Sequence, residues 1–181
     1  MSRDRSNLVW IDLETTGLSV AKHVILEISS IVTDKDLNIV GEGPNLVIHQ
    51  SDAALDRMAS WAEKQHGLSG LIESSRASDI SLREAEQQTL TFVRKHTHRG
   101  VAPLCGNSIQ TDRRFLRRYM RELNDHLSHR NVDVSSIAEL AARWYPGVAA
   151  KLDKEYAHRA PADIRASIDE LLFYRQLIFK D

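Results

Sequence analysis

A nearly continuous apolar segment close to the start of the chain constrains the fold more than any other feature of the sequence. Residues 7–13 are Asn-Leu-Val-Trp-Ile-Asp-Leu, and a short run of this kind predicts a buried strand. A strand with one face in water alternates apolar and polar side chains, which this segment does not. We therefore predict that residues 7–13 lie inside a sheet and not at its edge.

The order of the other segments favours an α/β domain in which helices flank a mixed central sheet. Further strands are predicted at residues 24–34, 46–50 and 102–105, with a turn at residues 41–44. Helices are predicted at residues 52–65, 82–96, 108–127, 135–144 and 161–179. The sequence shows no internal repeat, dividing linker or low-complexity tract, so we expect residues 1–181 to form a single domain.

Charge and composition narrow the functional classes. The chain has 24 basic and 25 acidic residues, whereas proteins that hold long duplexes usually carry a large basic surplus. Any nucleic acid that it binds is therefore expected to be short.

Cys105 is the single cysteine, which excludes an internal disulfide and a zinc site built from cysteines. No apolar segment approaches the roughly 18 residues of a membrane span, and the start lacks a signal-peptide pattern, so we expect a cytoplasmic protein without membrane contact.

Two acids at the end of the first predicted strand do not fit a purely structural role. Alternate strand residues point to the same face, so Asp12 and Glu14, in the segment Asp-Leu-Glu-Thr-Thr-Gly, place two carboxylates side by side. Such a pair repels, and burial without a partner adds a further cost. A divalent cation would remove both penalties. The alternative is that both acids are merely solvated at an exposed strand end.

Asp112 is a further acid in an unexpected place. It lies three residues after Ile109 and four before Leu116, on the apolar stripe of the predicted helix at residues 108–127. An acid on that stripe faces either a metal ion or a cationic side chain, and a nearby arginine is the alternative partner. The arginines of the same helix are expected to form a solvated face: Arg113, Arg114, Arg117, Arg118 and Arg121.

A histidine and an aspartate near the end of the chain complete the candidate set. Asp163 falls in the first turn of the last predicted helix, where Asp is common because of the helix dipole, and His158 lies just outside that turn. Taken alone, His158 could be a surface residue. Taken together, Asp12, Glu14, Asp112 and Asp163 offer the oxygen ligands that Mg²⁺ or Mn²⁺ prefer, and two such ions about 4 Å apart suit phosphodiester cleavage. His158 would then act as the general base toward the attacking water.

The order and spacing of these residues carry a family resemblance. Asp-x-Glu-Thr-Thr-Gly at the first strand, Asp112 in the middle and His-x-Ala-x-x-Asp near the end resemble the DEDDh 3′→5′ exonuclease superfamily. Within it, Cys-Gly-Asn-Ser-Ile at residues 105–109 and Asp-Val-Ser at residues 133–135 are most similar to the oligoribonuclease family. Other similar segments follow in the family's order along almost the whole chain, at residues 9–18, 37–39, 42–44, 69–71, 112–116 and 143–144.

The resemblance implies a ribonuclease H-like fold and a homodimeric exonuclease that hydrolyses very short RNA oligonucleotides, down to dinucleotides, from the 3′ end to 5′-mononucleotides. It implies that Asp12 bridges two divalent cations, that Glu14, Asp112 and Asp163 complete their ligation, and that His158 is the general base. It also implies substrate contacts for Leu18 between the bases, for Trp61 and His66 on the nucleotide, for Ser108, Arg130 and Ser135 at the 5′ phosphate, and for His129, which replaces a tyrosine that reaches the neighbouring subunit's site.

Several of these contacts have a plainer alternative. Trp61 could belong to the core, Leu18 could be an ordinary loop residue, and Ser135 could be a helix N-cap. The chain also departs from the family pattern at Thr15 and at Pro161, without losing a metal ligand or the base.

Two other functions stay open from the sequence. The first is a proofreading or repair exonuclease that acts on longer DNA 3′ ends, which the pair Thr15-Thr16 favours. The absence of a basic surplus opposes it. The second is a non-catalytic nucleotide-binding module, which the complete set of acids and His158 opposes.

Overall fold

A mixed six-stranded sheet lies at the centre of the computed structural model of the protein, which describes residues 3–149 and 159–179. The strands are β1 (Leu8–Thr15), β2 (Ile25–Thr33), β3 (Ile39–Glu42), β4 (Leu46–Val47), β5 (Leu104–Gly106) and β6 (Asn131–Asp133). The helices are α1 (Asp52–Leu55), α2 (Ser60–Leu68), α3 (Leu71–Ala77), α4 (Leu82–His96), α5 (Gln110–Tyr119), α6 (Arg121–His126), α7 (Val134–Trp144), α8 (Pro146–Ala149) and α9 (Ala160–Leu177). In this part of the chain, no helix combines the length and the apolar character needed to cross a bilayer.

Strand β1 occupies an interior position, as its apolar sequence predicts. The order across the sheet is β3-β2-β1-β5-β6, and β4 pairs with β2. Strand β1 is antiparallel to β2 and parallel to β5, and β5 is parallel to β6. The carboxyl ends of β1 and β5 therefore lie at the same edge of the sheet. The predicted α/β architecture with a mixed sheet is confirmed.

Helices cover both faces of the sheet, so alternate residues of β1 enter different cores. Val9, Ile11 and Leu13 pack in one cluster with residues of α4, α5 and α6. Trp10 packs in the other cluster with residues of α7 and α9. Because side chains alternate along a strand, the even-numbered acids of β1 share the face of Trp10. They therefore point toward the layer that contains α9.

Two predicted helices are interrupted, and packing accounts for both breaks. The helix predicted at residues 52–65 divides into α1 and α2, because the Ala59 N–H donates to the Thr16 carbonyl at 2.8 Å, in the loop that follows β1. The helix predicted at residues 108–127 divides at Met120, whose backbone is not helical (φ −133°, ψ 64°) and whose side chain is fully buried. At both points tertiary contacts outweigh helix propensity.

The sequence patterns do not predict the short elements correctly. Strand β3 extends into residues where the sequence predicts a turn, and the predicted strand at residues 46–50 is a strand only over β4. Neither β6 nor α3 is predicted, because a few residues are too short to display a period of 2 or 3.6. The longer helix α4 is confirmed with its capping box, in which Ser81 Oγ accepts from the Glu84 N–H at 3.2 Å.

Candidate active site

Three carboxylates meet on the α9 side of strand β1. Asp12 and Glu14 lie near the carboxyl end of β1, and Asp163 lies in the first turn of α9. One carboxylate oxygen from each residue lies within 4.8 Å of the other two. The period of the strand and the packing of α9 on the sheet thus bring together residues from opposite ends of the chain.

The fourth acid reaches the site from the opposite layer. Asp112 lies in the first turn of α5, just after the carboxyl end of β5. Strand β1 continues past the end of β5, and there the Leu13 N–H donates to Asp112 Oδ1 at 3.1 Å. The Asp112 side chain is buried, as its place on the apolar stripe predicts. Within the described residues it forms no ion pair with an arginine, the alternative that the sequence leaves open.

Burial raises the pKa of three of these carboxyl groups, and mutual repulsion adds to the effect for Asp12 and Glu14. The pKa of Asp12 lies well above its ordinary value because of burial and then the charges of Asp112, Glu14 and Asp163. The pKa of Glu14 rises to about 8 because of burial and then the charges of Asp163 and Glu27. Burial raises the pKa of Asp112 to about 7. At neutral pH the cluster therefore retains protons that a cation would displace.

The donor set fits a hard divalent cation. All four acids offer carboxylate oxygen, which is the ligand chemistry that Mg²⁺ and Mn²⁺ favour over that of softer metals. A bound cation would also offset the repulsion that raises the pKa of Asp12 and Glu14. The site is therefore suited to a metal centre.

A fifth acid, which the sequence patterns do not single out, is buried next to the cluster. Glu27 is paired with Glu14 in the antiparallel register of β1 and β2, and it is fully buried. Burial acts to raise its pKa, but hydrogen bonds from Arg159, Asn45 and the Ala160 amide outweigh burial and lower it. The one signal in the sequence is an acid inside the apolar run Ile-Leu-Glu-Ile.

A hydrogen-bond network lies beyond the carboxyl end of β5. The Ser108 N–H donates to Ser135 Oγ at 2.9 Å and to Asp133 Oδ1 at 3.0 Å, and Ser135 Oγ donates to Asn107 Oδ1 at 2.9 Å. Ser108 has a φ of 48°, in the left-handed region that residues other than glycine rarely adopt. These bonds therefore hold Ser108 in a strained conformation. The N-cap of α7 is Asp133, so the alternative assignment of Ser135 as the N-cap is wrong.

The loop between α6 and β6 is tied to α5 by a buried arginine. Arg113 donates to the Ser128 carbonyl at 2.7 Å, to the Arg130 carbonyl at 3.1 Å and to Asn131 Oδ1 at 3.0 Å. The prediction of a solvated arginine face is therefore wrong for Arg113, which is 4% exposed, and holds for the other four arginines. The side chains of His129 and Arg130, which this loop carries, are exposed.

Two of the predicted substrate-binding side chains are apolar and exposed, and a histidine links one of them to the acids. Leu18 is 58% exposed and Trp61 is 47% exposed, so the alternative that Trp61 belongs to the core is wrong. The ring of His66 lies 6.5 Å from that of Trp61. His66 is buried, with Nε2 at 3.0 Å from the Thr15 carbonyl and 3.8 Å from the Glu14 carboxylate. In this structure His66 contacts the end of β1, and its contact with a nucleotide stays a prediction.

The structure thus connects the four acids with His66 and Trp61, and it brings Ser108 and Ser135 into contact with each other. His158, the predicted general base, lies outside the described residues. Thr15, where the chain departs from the family pattern, is buried and donates from Oγ1 to the Gly17 carbonyl at 3.0 Å. That hydrogen bond gives Thr15 a local structural role in the turn after β1.

A protein family and individual relatives match this chain along almost its whole length. The Exonuclease family (RNase_T) matches residues 9–171. The oligoribonuclease of Shewanella oneidensis is 50% identical over 180 residues, which cover 99% of this chain and 99% of that protein. The oligoribonuclease of Haemophilus influenzae is 51% identical over the same length, again with 99% of each chain covered.

Solved structures with lower sequence identity share the fold. A zinc-bound complex of E. coli exonuclease I with single-stranded DNA has a TM-score of 0.76 at 16% identity and covers 96% of this chain. Exonuclease I of Methylocaldum szegediense has a TM-score of 0.71 at 20% identity, with the same coverage. The chain spans 41% of the length of each of these exonucleases. The likeness shows the fold alone and confirms the ribonuclease H-like sheet flanked by helices.

Proposed function

The chain belongs to the oligoribonuclease family of exonucleases, and we propose that it hydrolyses very short RNA oligonucleotides, down to dinucleotides, from the 3′ end to 5′-mononucleotides. One observation carries the proposal. Carboxylate oxygens of Asp12, Glu14 and Asp163 converge within 4.8 Å at the carboxyl end of β1, where Asp112 enters from the other layer. The single domain of residues 1–181 would carry this activity.

Two divalent cations, Mg²⁺ or Mn²⁺, fit this site. Asp12 lies in the cluster with Glu14 and Asp163, and it would be the ligand shared by both ions. Glu14, Asp112 and Asp163 would complete the ligation. When bound, the cations supply charge stabilisation for the attacking and leaving oxygens of the phosphodiester.

His158 is the proposed general base, which takes a proton from the attacking water. It directly precedes Arg159, the residue whose carbonyl accepts from the Asp163 N–H at 3.1 Å at the start of α9. The imidazole must be neutral to accept that proton. The rate is therefore expected to rise with pH as this histidine loses its proton.

The residues proposed to bind the 5′ phosphate would explain a preference for short substrates. Ser108, Ser135 and Arg130 would bind the 5′ phosphate and so close one end of the site. The Ser108 N–H and the Ser135 hydroxyl are already joined at 2.9 Å, and the Arg130 side chain is exposed. A net charge of −1 agrees with a ligand that carries few phosphates.

The bases of a short substrate would lie against apolar surface. Leu18 would enter between the bases, whereas Trp61 and His66 would contact the nucleotide. The exposure of Leu18 and Trp61 supports this assignment, because large apolar side chains on a surface often mark a binding site.

A homodimer in the cytoplasm is part of the proposal. The exposed apolar side chains Leu140, Trp144, Tyr145 and Phe179 lie close together where α7 meets the end of α9. A patch of this kind is typical of a subunit interface. His129 would then approach the site of the partner subunit. The mass in solution, measured by light scattering, tests this point: a monomer at micromolar concentration would contradict it.

A comparison of substrates tests the activity itself. With Mn²⁺ present, we expect a labelled dinucleotide to be converted to mononucleotides faster than a long single strand of DNA is shortened, and EDTA to stop the reaction. Faster cleavage of the long strand would favour the DNA exonuclease suggested by Thr15-Thr16. Binding of the dinucleotide without hydrolysis of either substrate would indicate a nucleotide-binding module.

A further inference from the structure

Helix α9, which delivers Asp163 to the site, begins without a capping side chain of its own. Its N-cap residue is Arg159, whose side chain makes no capping hydrogen bond. The first N–H groups of a helix have no partner within the helix and need an acceptor from elsewhere. Here the acceptor comes from strand β2, where Glu27 Oε2 accepts from the Ala160 N–H at 3.1 Å.

The same carboxylate also holds the side chain of the N-cap residue. Arg159 Nη2 donates to Glu27 Oε1 at 2.7 Å, and Arg159 Nε lies 3.1 Å from Oε2 and 3.2 Å from Oε1. Asn45 Nδ2 donates to Oε1 at 3.0 Å. Both oxygens of a fully buried carboxylate are therefore occupied, and charge-assisted bonds of this kind are shorter and stronger than neutral ones.

Glu27 joins the two elements that carry the candidate metal ligands. On one side it is paired with Glu14 in the β1–β2 ladder. On the other side it binds Arg159, whose carbonyl accepts from the Asp163 N–H at 3.1 Å. This connection therefore contributes to the distance between the acids of β1 and the acid of α9, together with the packing of Ile164 and Ile168 against Trp10.

We propose that Glu27 and Arg159 form a clamp that positions Asp163 against Asp12 and Glu14 and so completes the metal site. Both are positioning residues, since they act through the start of α9. The proposal rests on the proposed function for the identity of the bound ion. The proposal goes beyond that function because it assigns a role to two residues that are not themselves ligands.

A second ion pair on the same helix offers a matched control. Arg165 Nη2 donates to Glu42 Oε2 at 2.6 Å, which joins α9 to β3 as the clamp joins it to β2. That pair is about half exposed on both sides, and exposed pairs contribute little to stability. Arg165 lies six residues after Arg159 along the chain. The loss of this pair should leave the position of Asp163 unchanged.

The direction in which the affinity for a divalent ion changes separates a positioning role of Arg159 from a purely electrostatic one. Arg159 lies close enough to Glu14 for its charge to act on that carboxylate. If charge alone mattered, removing this cation would tighten the binding of a divalent ion. If the clamp positions Asp163, removing it would weaken that binding. Replacing Arg159 therefore gives opposite results under the two explanations.

The experiment is a titration of the metal-free full chain with Mn²⁺, followed by electron paramagnetic resonance or calorimetry. For Arg159→Met we expect the affinity to fall by about tenfold or more, the usual loss when a residue that supports a ligand is removed. Arg159→Lys should fall between this variant and the parent, since lysine retains the charge but not the two-point contact. Glu42→Gln should bind as the parent does. Unchanged or tighter binding by Arg159→Met, or an equal loss in Glu42→Gln, would overturn the proposal.

Arg159→Met is the primary variant because the Arg159 side chain is 36% exposed, so it is expected to fold. Glu27→Gln is a second variant, for which weaker Mn²⁺ binding is also expected. Dinucleotide hydrolysis is measured on the same preparations. If the parent binds Mn²⁺ without hydrolysing the dinucleotide and Arg159→Met binds it more weakly, the proposed function fails and the clamp stands. If the parent hydrolyses the dinucleotide and Arg159→Met binds Mn²⁺ equally well, the clamp alone fails.

Discussion

At the metal end of the proposed site, Asp12, Glu14 and Asp163 face one another in a partly buried cluster, and burial together with repulsion raises the pKa of Asp12 and Glu14. At the phosphate end, Ser108 and Ser135 bond to each other and to their neighbours. One end therefore holds like charges close together. The other end has its hydrogen bonds satisfied before any ligand arrives.

This difference shows that the two ends of one binding site can affect the stability of the metal-free domain in opposite directions. Like charges that are held close together destabilise the folded chain, so the metal end should become complete only when cations bind. Satisfied hydrogen bonds stabilise the chain that makes them, so the phosphate end should keep its shape with or without substrate. Substitutions at the two ends should therefore have opposite effects on the stability of the metal-free protein.

The largest effect is expected at the metal end. Asp12→Ala should reduce dinucleotide hydrolysis by about 10³-fold or more, because it removes the ligand proposed to be shared by both cations. The same change should raise the melting temperature of the metal-free protein, since it relieves repulsion. Initial rates and thermal unfolding in EDTA measure the two effects. Asp169→Asn, which alters an exposed acid of α9, is the control. If Asp12→Ala lowers the melting temperature, repulsion at the metal end does not destabilise the metal-free protein.

The next effect concerns the support of the phosphate end. Arg113→Met should lower the free energy of unfolding by about 2–4 kcal/mol, because several buried acceptors lose their donor. Arg114→Met, an exposed neighbour on the same helix, should change it by about 0.5 kcal/mol or less. Urea denaturation measures both values. Equal stability of the two variants would show that the buried guanidinium is not what holds the loop.

A smaller effect is expected within the phosphate end itself. Ser135→Ala should lower kcat/KM by about 10–100-fold for a dinucleotide with a 5′ phosphate, the size of one lost hydrogen bond to a charged group. A dinucleotide without that phosphate should be almost unaffected. Ser136→Ala, an exposed neighbour in α7, is the control. An equal loss on both substrates would remove Ser135 from the phosphate site.

The smallest effect is a pH dependence that belongs to the metal end alone. The pKa of Glu14 is about 8 in the folded chain against an ordinary value of 4.5, so between these values the folded chain holds a proton that the unfolded chain has released, and stability falls as the pH rises through this range. The stability of the metal-free protein should therefore fall by about 1 kcal/mol between pH 7 and 9, which lowers the melting temperature by about 2–4 °C. This window lies above the pKa of His96 and His126, both of which burial lowers. Saturating Mg²⁺ should abolish the fall, and a fall that persists with Mg²⁺ would assign it to other groups.

Local patterns in the sequence were sufficient for the central strand and for three of the acids. The apolar run at residues 7–13 predicts an interior strand, and the period of 2 places Asp12 and Glu14 on one face. The helical period places Asp112 on a buried stripe, and its side chain is buried. These predictions depend only on near neighbours along the chain, which is why they could be made from the sequence.

Residues whose role depends on distant partners were not predictable in the same way. Arg113 follows an acid and precedes another arginine in a strongly basic helix, so its pattern indicates a solvated face. It is buried because acceptors near residues 128–131 surround it. Glu27 looks like an isolated acid in a strand until the start of α9 is placed against it.

From the amino-acid order alone come the interior strand, the α/β class and the set of acids suited to a divalent cation, because strand and helix periods are properties of a few consecutive residues. Only the folded chain decides that Asp112 enters from the layer opposite Asp163, and that a carboxylate of β2 secures the helix that carries Asp163. Those outcomes depend on which elements pack against each other. The pairing of a buried charge is a property of that packing, because its partner lies far away along the chain.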